Sequence, residues 1–324
     1  MPKTPFLITI DTEGDDLWSR PRQISTCNAD YLPRFQELCE QFDFRPVYLT
    51  NYEMACSPAF REFGRDVLAR GAAEIGMHLH AWNSPPLVPL TDDDFRYQPY
   101  LTEYPDDIMR DKIRVMTRLL EDTFQRPIVS HRAGRLGFDG RYAALLQEFG
   151  YLVDCSVTPG IDWTTTPGAP GGRGGPDYTS FPGHPYFLRP SAIATPADDG
   201  LLEVPVTVEP GPLARAAPWA YATAPLGRIA NRLSPRLNWL SPGESGLGGM
   251  LQAARDARRH GAACVELMLH SSELMPNGSP TFRSAAAIER LYDDLEVLFG
   301  TLARWCEGMT LQQFHSQLTM EAAA

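Results

Sequence analysis

The sequence predicts an α/β fold built on a parallel sheet, and three observations carry that expectation. Short β-branched apolar runs alternate with amphipathic segments along the chain. Polar residues collect just after those runs. A length of 324 residues with 43% hydrophobic content suffices for one principal domain with a full core, spanning about 1–320. Repeated β-α units of this kind imply parallel strands, either closed as a barrel or doubly wound.

The first apolar run, 6–10, stops abruptly in Asp11-Thr12-Glu13-Gly14-Asp15-Asp16, as a buried strand ending in a polar loop does. Asn28 is placed to cap a helix in which Leu32, Phe35, Cys39 and Phe42 recur at three- and four-residue spacing, and 46–50 reads as a second strand. A helix near 59–69 leads through Gly71 to a strand over 74–82. A long helix follows, with Met109, Ile113, Met116 and Leu120 on one stripe. A strand at 128–132, a helix at 140–149 and a strand at 151–157 continue the alternation. Gly, Pro and Thr crowd 159–185, which marks a long surface loop, and 201–208 reads as a strand beyond it. Between 211 and 249 periodicity is lost, so this stretch is an insertion that suits a lid, a substrate-binding element or a partner-binding arm. Then 250–259 looks helical, and 264–269 is an apolar strand ending in His270. Ser279-Pro280 is placed to cap a final helix with Ile288, Leu291, Leu295, Leu298 and Leu302 on its core stripe. Residues 321–324 read as a disordered tail, and no internal repeat is evident.

A net charge of −11, with no run of Lys and Arg, argues against nucleic acid or an anionic membrane as the main partner. The six cysteines are scattered without a C-x-x-C pair and read as buried free thiols in a reducing compartment. No apolar stretch is long enough for a signal peptide or a membrane-spanning helix, so the expectation is a cytoplasmic protein without an integral membrane segment.

In parallel α/β folds ligands bind beyond the C-terminal ends of the strands. Five places qualify: Asp11/Glu13, His78/His80, His131/Arg132, the stretch from Asp154 to Trp163, and His270. Side chains at i and i+2 of a strand share a face, so Asp11 and Glu13 project together, as do His78 and His80. Two imidazoles and a carboxylate are a common set of ligands for Zn²⁺ or another divalent metal, and the remaining carboxylate can serve as a base. Each piece also has an ordinary structural role: a turn, a satisfied strand-end histidine, a salt bridge. Their joint occurrence at strand ends favours a site.

These motifs resemble the polysaccharide deacetylases, the NodB-homology or carbohydrate esterase family 4 group, and more closely its WalW-like branch. The resemblance runs in order from Thr9-Ile10-Asp11-Thr12-Glu13 through Glu74-Ile75-Gly76-Met77-His78-Leu79-His80-Ala81-Trp82, His131-Arg132-Ala133-Gly134 and Asp154-Cys155-Ser156 to Leu267-Met268-Leu269-His270. It implies an irregular (β/α) barrel of about seven parallel strands, a divalent metal, usually zinc, and removal of an acetyl group from a sugar. Carried over by position, Asp11 matches the catalytic base, Arg132 the arginine that holds it, His270 the general acid and His78 the first metal histidine. Two positions depart from the family pattern. Thr12 stands where a second Asp is usual, which gives the ligand role to Glu13, and Trp82 stands where the second histidine is usual, which leaves His80 as its substitute and His131 as an alternative.

In the implied reaction the metal activates water, Asp11 takes its proton, Arg132 keeps Asp11 ionised, and His270 protonates the leaving amine. Trp82 and Trp163 suit an apolar wall for a sugar ring, or core packing at the barrel rim, and Asp154 suits a role behind Arg132 or His270. Two other readings remain: a two-carboxylate glycoside hydrolase and a sugar-binding protein that has lost metal chemistry.

Overall fold

The computed structural model describes residues 3–221 and 224–322. Its centre is a curled sheet that is parallel apart from one edge strand. In chain order the strands are β1 (Thr4–Thr12), β2 (Val47–Thr50), β3 (Glu74–Leu79), β4 (Ser130–Ala133), β5 (Val153–Asp154), β6 (Tyr186–Leu188) and β7 (Leu201–Glu203). Then come β8 (Val208–Pro210), β9 (Leu237–Trp239), β10 (Val265–His270) and β11 (Cys306–Gly308). Among the described residues the sheet runs β10-β1-β2-β3-β4-β5-β7-β6, with β11 also on β1, and β8 pairs separately with β9. Seven parallel strands follow one another from β10 to β7, and β6 is antiparallel. The gap between β7 and β10 is spanned by Thr207, whose N–H donates to the Glu266 carbonyl while its hydroxyl accepts from the Glu266 N–H. The barrel class expected from the motifs is therefore the observed one.

The inner strands are buried on both faces, which is why they read as continuous apolar runs rather than alternating ones. Helices cover the outside and begin where the chain supplies a cap. Ser57 accepts from the Phe60 N–H ahead of Pro58–Ala69, Asp139 from the Tyr142 N–H ahead of Gly140–Glu148, and Ser284 from the Ala287 N–H ahead of Ala285–Leu302. One pole of the core is an aromatic cluster in which the Phe299 ring meets Phe6, Phe35, Phe42 and Phe44 edge-on, with centroids 5.4–6.3 Å apart.

Several expectations change. Asn28 does not cap: its buried amide donates to the Glu13 carbonyl and to Asp15, and the helix begins at Leu32. The cap of the long C-terminal helix is Ser284, not Ser279. That helix is followed by β11 and by another helix, Leu311–Ala322, so 321–322 are helical and 323–324 lie outside the described residues. The strand expected over 201–208 is two strands: 204–207 still hydrogen-bonds to Asp154, Val157 and Glu266, while β8 pairs with β9 in a separate sheet. The insertion over 211–249 carries short helices, Pro212–Ala216 and Ala224–Leu233, as well as β9. Trp219, Leu226, Ile229 and Leu233 are exposed there. All six cysteines are free, but Cys27 and Cys56 are exposed rather than buried. No described helix is long and apolar enough to cross a membrane.

Because Phe299 is fully buried against four other rings, Phe299→Ala is expected to destabilise the fold by about 3–5 kcal/mol. Urea denaturation measures this, and a loss below about 1 kcal/mol would mean the cluster is not a packed part of the core.

Candidate active site

Two pairs of neighbouring strands, β10 with β1 and β3 with β4, flank β2 and bring the candidate residues together at their C-terminal ends. Asp11 at the end of β1 lies beside His270 at the end of β10, and His78 on β3 lies beside Arg132 on β4. Two features fix the chain where β1 ends. The Glu13 carbonyl accepts from Asn28 and the Ser271 hydroxyl, and the Glu13 N–H donates to the same hydroxyl. Gly134, just after β4, is required by close approach: a Cβ there would sit 2.5 Å from the Leu79 carbonyl oxygen and 2.8 Å from His80 Nδ1.

Glu13, His78 and His80 form a buried triangle. Glu13 Oε2 lies 2.8 Å from His80 Nε2 and 3.5 Å from His78 Nε2, and the two imidazole nitrogens are 3.1 Å apart. Ligands on a tetrahedral zinc at about 2.0–2.2 Å are separated by about 3.3 Å, so these distances suit three corners of such a site. His78 Nδ1 is 3.0 Å from the Arg132 carbonyl, to which it donates, leaving Nε2 as the ligand atom. The two imidazole nitrogens and the carboxylate oxygen converge on one point, an arrangement that suits a cation. Burial lowers His78, but Asp11 and Glu13 more than offset it and raise it, whereas His80 is lowered by burial to its neutral, ligating form. Burial would raise Glu13, yet its hydrogen bonds to His78 and His80 hold it well below the usual carboxylate range.

Asp11 belongs to a second buried network. Arg132, fully buried, donates from Nη1 to Asp11 Oδ1 at 2.7 Å, from Nη2 to Thr9 Oγ1 and Glu266 Oε1 at 2.8 Å each, and from Nε to the Cys155 carbonyl at 2.8 Å. The Thr9 hydroxyl donates in turn to Glu266. Burial pushes Asp11 up, but Arg132, His78 and His270 outweigh it and keep the carboxylate ionised. Its other oxygen, Oδ2, faces inward, 3.9 Å from His78 Nε2 and 3.8 Å from His270 Nε2. Thr9 and Glu266 were not anticipated. The available signals were Thr9 at i−2 on the face of Asp11 and a lone Glu inside an apolar strand.

His270 is half-buried, with Nδ1 3.5 Å from Glu273 Oε2 and the Trp18 ring edge-on at 4.8 Å. Burial alone would lower it, but Glu273, Glu13 and Asp11 raise it to about 9. Glu273 also accepts from the His270 N–H at 2.9 Å, so one carboxylate fixes both the backbone and the ring.

The other candidates divide. Trp82 is buried beside His80, with ring centroids 5.7 Å apart, and lines the cleft above the triangle. Trp163 lines the same cleft opposite Trp239, with its N–H on the Thr158 hydroxyl at 2.8 Å. Asp154 makes no hydrogen bond to Arg132 or His270. It lies 2.6 Å from His131 Nδ1, whose other nitrogen is 2.7 Å from the Tyr142 hydroxyl. Both nitrogens of His131 are thereby engaged away from the triangle, which removes it as a metal ligand. The cleft holds about 500 Å³, and sequence reasoning did not find Trp18, Tyr100, Arg135 and Trp239 in its walls.

No family model and no curated protein matches the chain. Solved structures do. A Mycobacterium smegmatis protein described as a polysaccharide deacetylase is 17% identical and aligns over 99% of this chain and 92% of its own, with a TM-score of 0.52. The 4-alpha-glucanotransferase of Thermococcus litoralis is 10% identical over 97% of this chain and 40% of its own, with a TM-score of 0.54. A family 4 carbohydrate esterase pseudoenzyme of Bacillus anthracis is 10% identical over 97% of this chain and 66% of its own, at a TM-score of 0.44, too low to carry an argument. At these identities the likeness shows a shared fold, and chemistry has to be argued from the site.

Arg132→Met would leave the Glu266 carboxylate buried without its counter-charge and Asp11 with only His78 and His270 nearby. The expected cost is about 3–5 kcal/mol at pH 7. Without the guanidinium the Glu266 carboxyl titrates higher folded than unfolded, so the deficit should shrink as pH falls and it protonates. Urea denaturation at pH 7.5 and pH 5 tests this, and equal deficits would show that the charge of Arg132 is not what matters.

Proposed function

We propose that this chain is a metal-dependent deacetylase that hydrolyses an N-acetyl or O-acetyl group of a sugar or surface-polysaccharide precursor. One observation carries the reading: the Glu13/His78/His80 triangle shares an aromatic cleft with Asp11 and His270, and Asp11 Oδ2 lies 3.9 Å from His78 Nε2 and 3.8 Å from His270 Nε2. A divalent ion, zinc on the chemistry of a two-nitrogen, one-oxygen donor set, would be held by that triangle and would supply Lewis acidity, polarising a carbonyl and lowering the pKa of water to about 7.

The chain's own groups account for the proton traffic. Arg132 occupies Asp11 Oδ1, so Oδ2 is the oxygen free to accept the proton of the attacking water. A carboxylate held this low is a weak base, adequate for a water that is already acidified. Water adds to the acetyl carbon, and as the carbon–nitrogen bond breaks, His270 gives its Nε2 proton to the departing amine. Glu273 at Nδ1 keeps that imidazole charged and aimed. The products are acetate and a free amine, or an alcohol from an O-acetyl group. Trp82 and Trp163 offer apolar faces for a sugar ring or the acetyl methyl.

The likeness to a glucanotransferase raises the two-carboxylate reading. That chemistry needs one carboxyl kept protonated at neutral pH. Asp11 and Glu13 are both held ionised by their cationic partners, which argues against them as such a pair.

Metal analysis is the first test: purified protein should bind about one divalent ion, and His78→Ala and His80→Ala should each lose it. Absence of metal binding by the unaltered protein would remove the basis of the proposal. Asp11→Asn and His270→Ala should each lower kcat by about 10²–10⁴ with unchanged circular dichroism, and metal binding without turnover would favour the sugar-binding reading. Because His270 acts in its protonated form, the rate should fall on the alkaline side, with a limb at or below about 9, since a bound cation draws the value down. His270→Ala should abolish that limb.

A further inference from the structure

The lining of the cleft carries the carboxylates Asp11, Glu13, Glu244 and Glu273 around the triangle and one arginine, Arg135, over the Tyr100 ring. Adjoining it is a second pocket of about 390 Å³, whose charged lining among the described residues is Arg20, Arg96 and Arg173, with no carboxylate.

The two spaces share their walls. Leu17 and Trp18 line the cleft and Arg20 the pocket; Trp163 and Thr166 line the cleft, and Thr164, Thr165 and Pro167 the pocket. Arg135 ties the partition together, donating to the Gln98 carbonyl and, at 2.7 Å, to that of Pro167 while lying over the Tyr100 ring. Arg20 donates to the Arg96 carbonyl. Thus these guanidiniums meet backbone carbonyls and aromatic faces rather than acids. The nearby Glu103 is already engaged by the Tyr100 and Ala169 N–H groups, and Asp93 by Arg22. Burial lowers Arg135, with the charge of Arg20 acting in the same direction and Tyr100 and Glu103 opposing it. In a chain of net charge −11, three exposed arginines lining one pocket, with the Glu103 carboxylate against the same loop, mark a place for an anion. A single carboxylate is satisfied by one bidentate arginine, whereas several guanidiniums around one space match a denser, many-oxygen charge. Gly171, with φ +75° and nothing within 4 Å of where a Cβ would be, leaves the rim open to it.

We infer that the Arg20/Arg96/Arg173 pocket is a subsite for a phosphoryl group, so that the substrate is an acetylated sugar carrying a phosphate or diphosphate rather than a neutral polysaccharide. The subsite stands on the pocket alone; only the acetyl end rests on the deacetylase reading. In that arrangement the acetyl group lies at the Glu13/His78/His80 triangle in the cleft and the phosphate reaches over the Arg135–Tyr100 partition to the arginines.

The binding test uses inorganic pyrophosphate on full-length, metal-stripped protein, so that chelation at the triangle does not contribute. Calorimetry should show binding that weakens about tenfold for each guanidinium removed in Arg96→Gln and Arg96→Gln/Arg173→Gln. Arg228→Gln/Arg232→Gln, exposed and distant in the chain, controls for net charge and should bind like the unaltered protein. Equal affinity in all four proteins would overturn the subsite. The catalytic test compares acetate release by metal-loaded protein from N-acetylglucosamine, its 1-phosphate, a nucleoside-diphosphate derivative, a polyisoprenyl-diphosphate derivative and a uronate-bearing oligosaccharide. Phosphorylated sugars should exceed the neutral one by about 100-fold or more in kcat/KM, and the double variant should remove most of that advantage while leaving the neutral sugar unchanged. The three phosphorylated arms identify which carrier bears the phosphate. Preference for the uronate would overturn the phosphoryl assignment. Arginine-dependent pyrophosphate binding without any acetate release would leave the subsite standing and remove the deacetylase reading. Release insensitive to phosphate and to the arginines would do the reverse.

Discussion

The guanidinium of Arg132 is the constraint on which the site depends. It is fully buried and reaches from β4 across the end of the barrel to Asp11 on β1 and Glu266 on β10, and it also donates to the Thr9 hydroxyl and the Cys155 carbonyl. Removing a charge from water costs several kcal/mol, and the cost is offset only when partners are close and donors are filled. One cation between two carboxylates, with further acceptors at hydrogen-bond distance, meets that condition. It also leaves a single oxygen of Asp11 facing the cleft.

The triangle is built in the same manner, from the backbone outward. Asn28 and Ser271 hold the Glu13 peptide, Gly134 lets the chain after β4 pass against His80, and the Arg132 carbonyl sets the ring of His78. Arg132 therefore works from both ends: its side chain orders Asp11 and its carbonyl orders His78. Alternation along β1 puts Glu13 on the face of Asp11, and a residue at i+2 of His78 comes back to the same opening, where Trp82 instead forms part of the wall.

Acids and arginines line adjoining spaces. Acidic groups gather where a cation would sit, and arginines gather past the aromatic walls. At −11 overall the chain repels anions at long range, so the attraction of the arginine pocket is local, within about a Debye length of 8–10 Å.

By itself the sequence determined the alternation of strands and helices, the barrel class through its ordered motifs, and the strand-end positions of Asp11, Glu13, His78, His80, Arg132 and His270. These properties are local: apolar runs, periodicity and the two-residue repeat of a strand travel with the chain. What depends on contacts between distant segments was not legible. Asp154 looked available to Arg132, but pairing of β4 with β5 gives it to His131. Glu266 looked like one acid in an apolar strand, and only the neighbouring β1 makes it the counter-charge of Arg132. The chain shows no basic run, yet folding gathers Arg20, Arg96, Arg135 and Arg173 around adjoining pockets from four separate segments. Tertiary structure decided these because a charge is felt through space, over a few ångströms, whatever its separation along the chain.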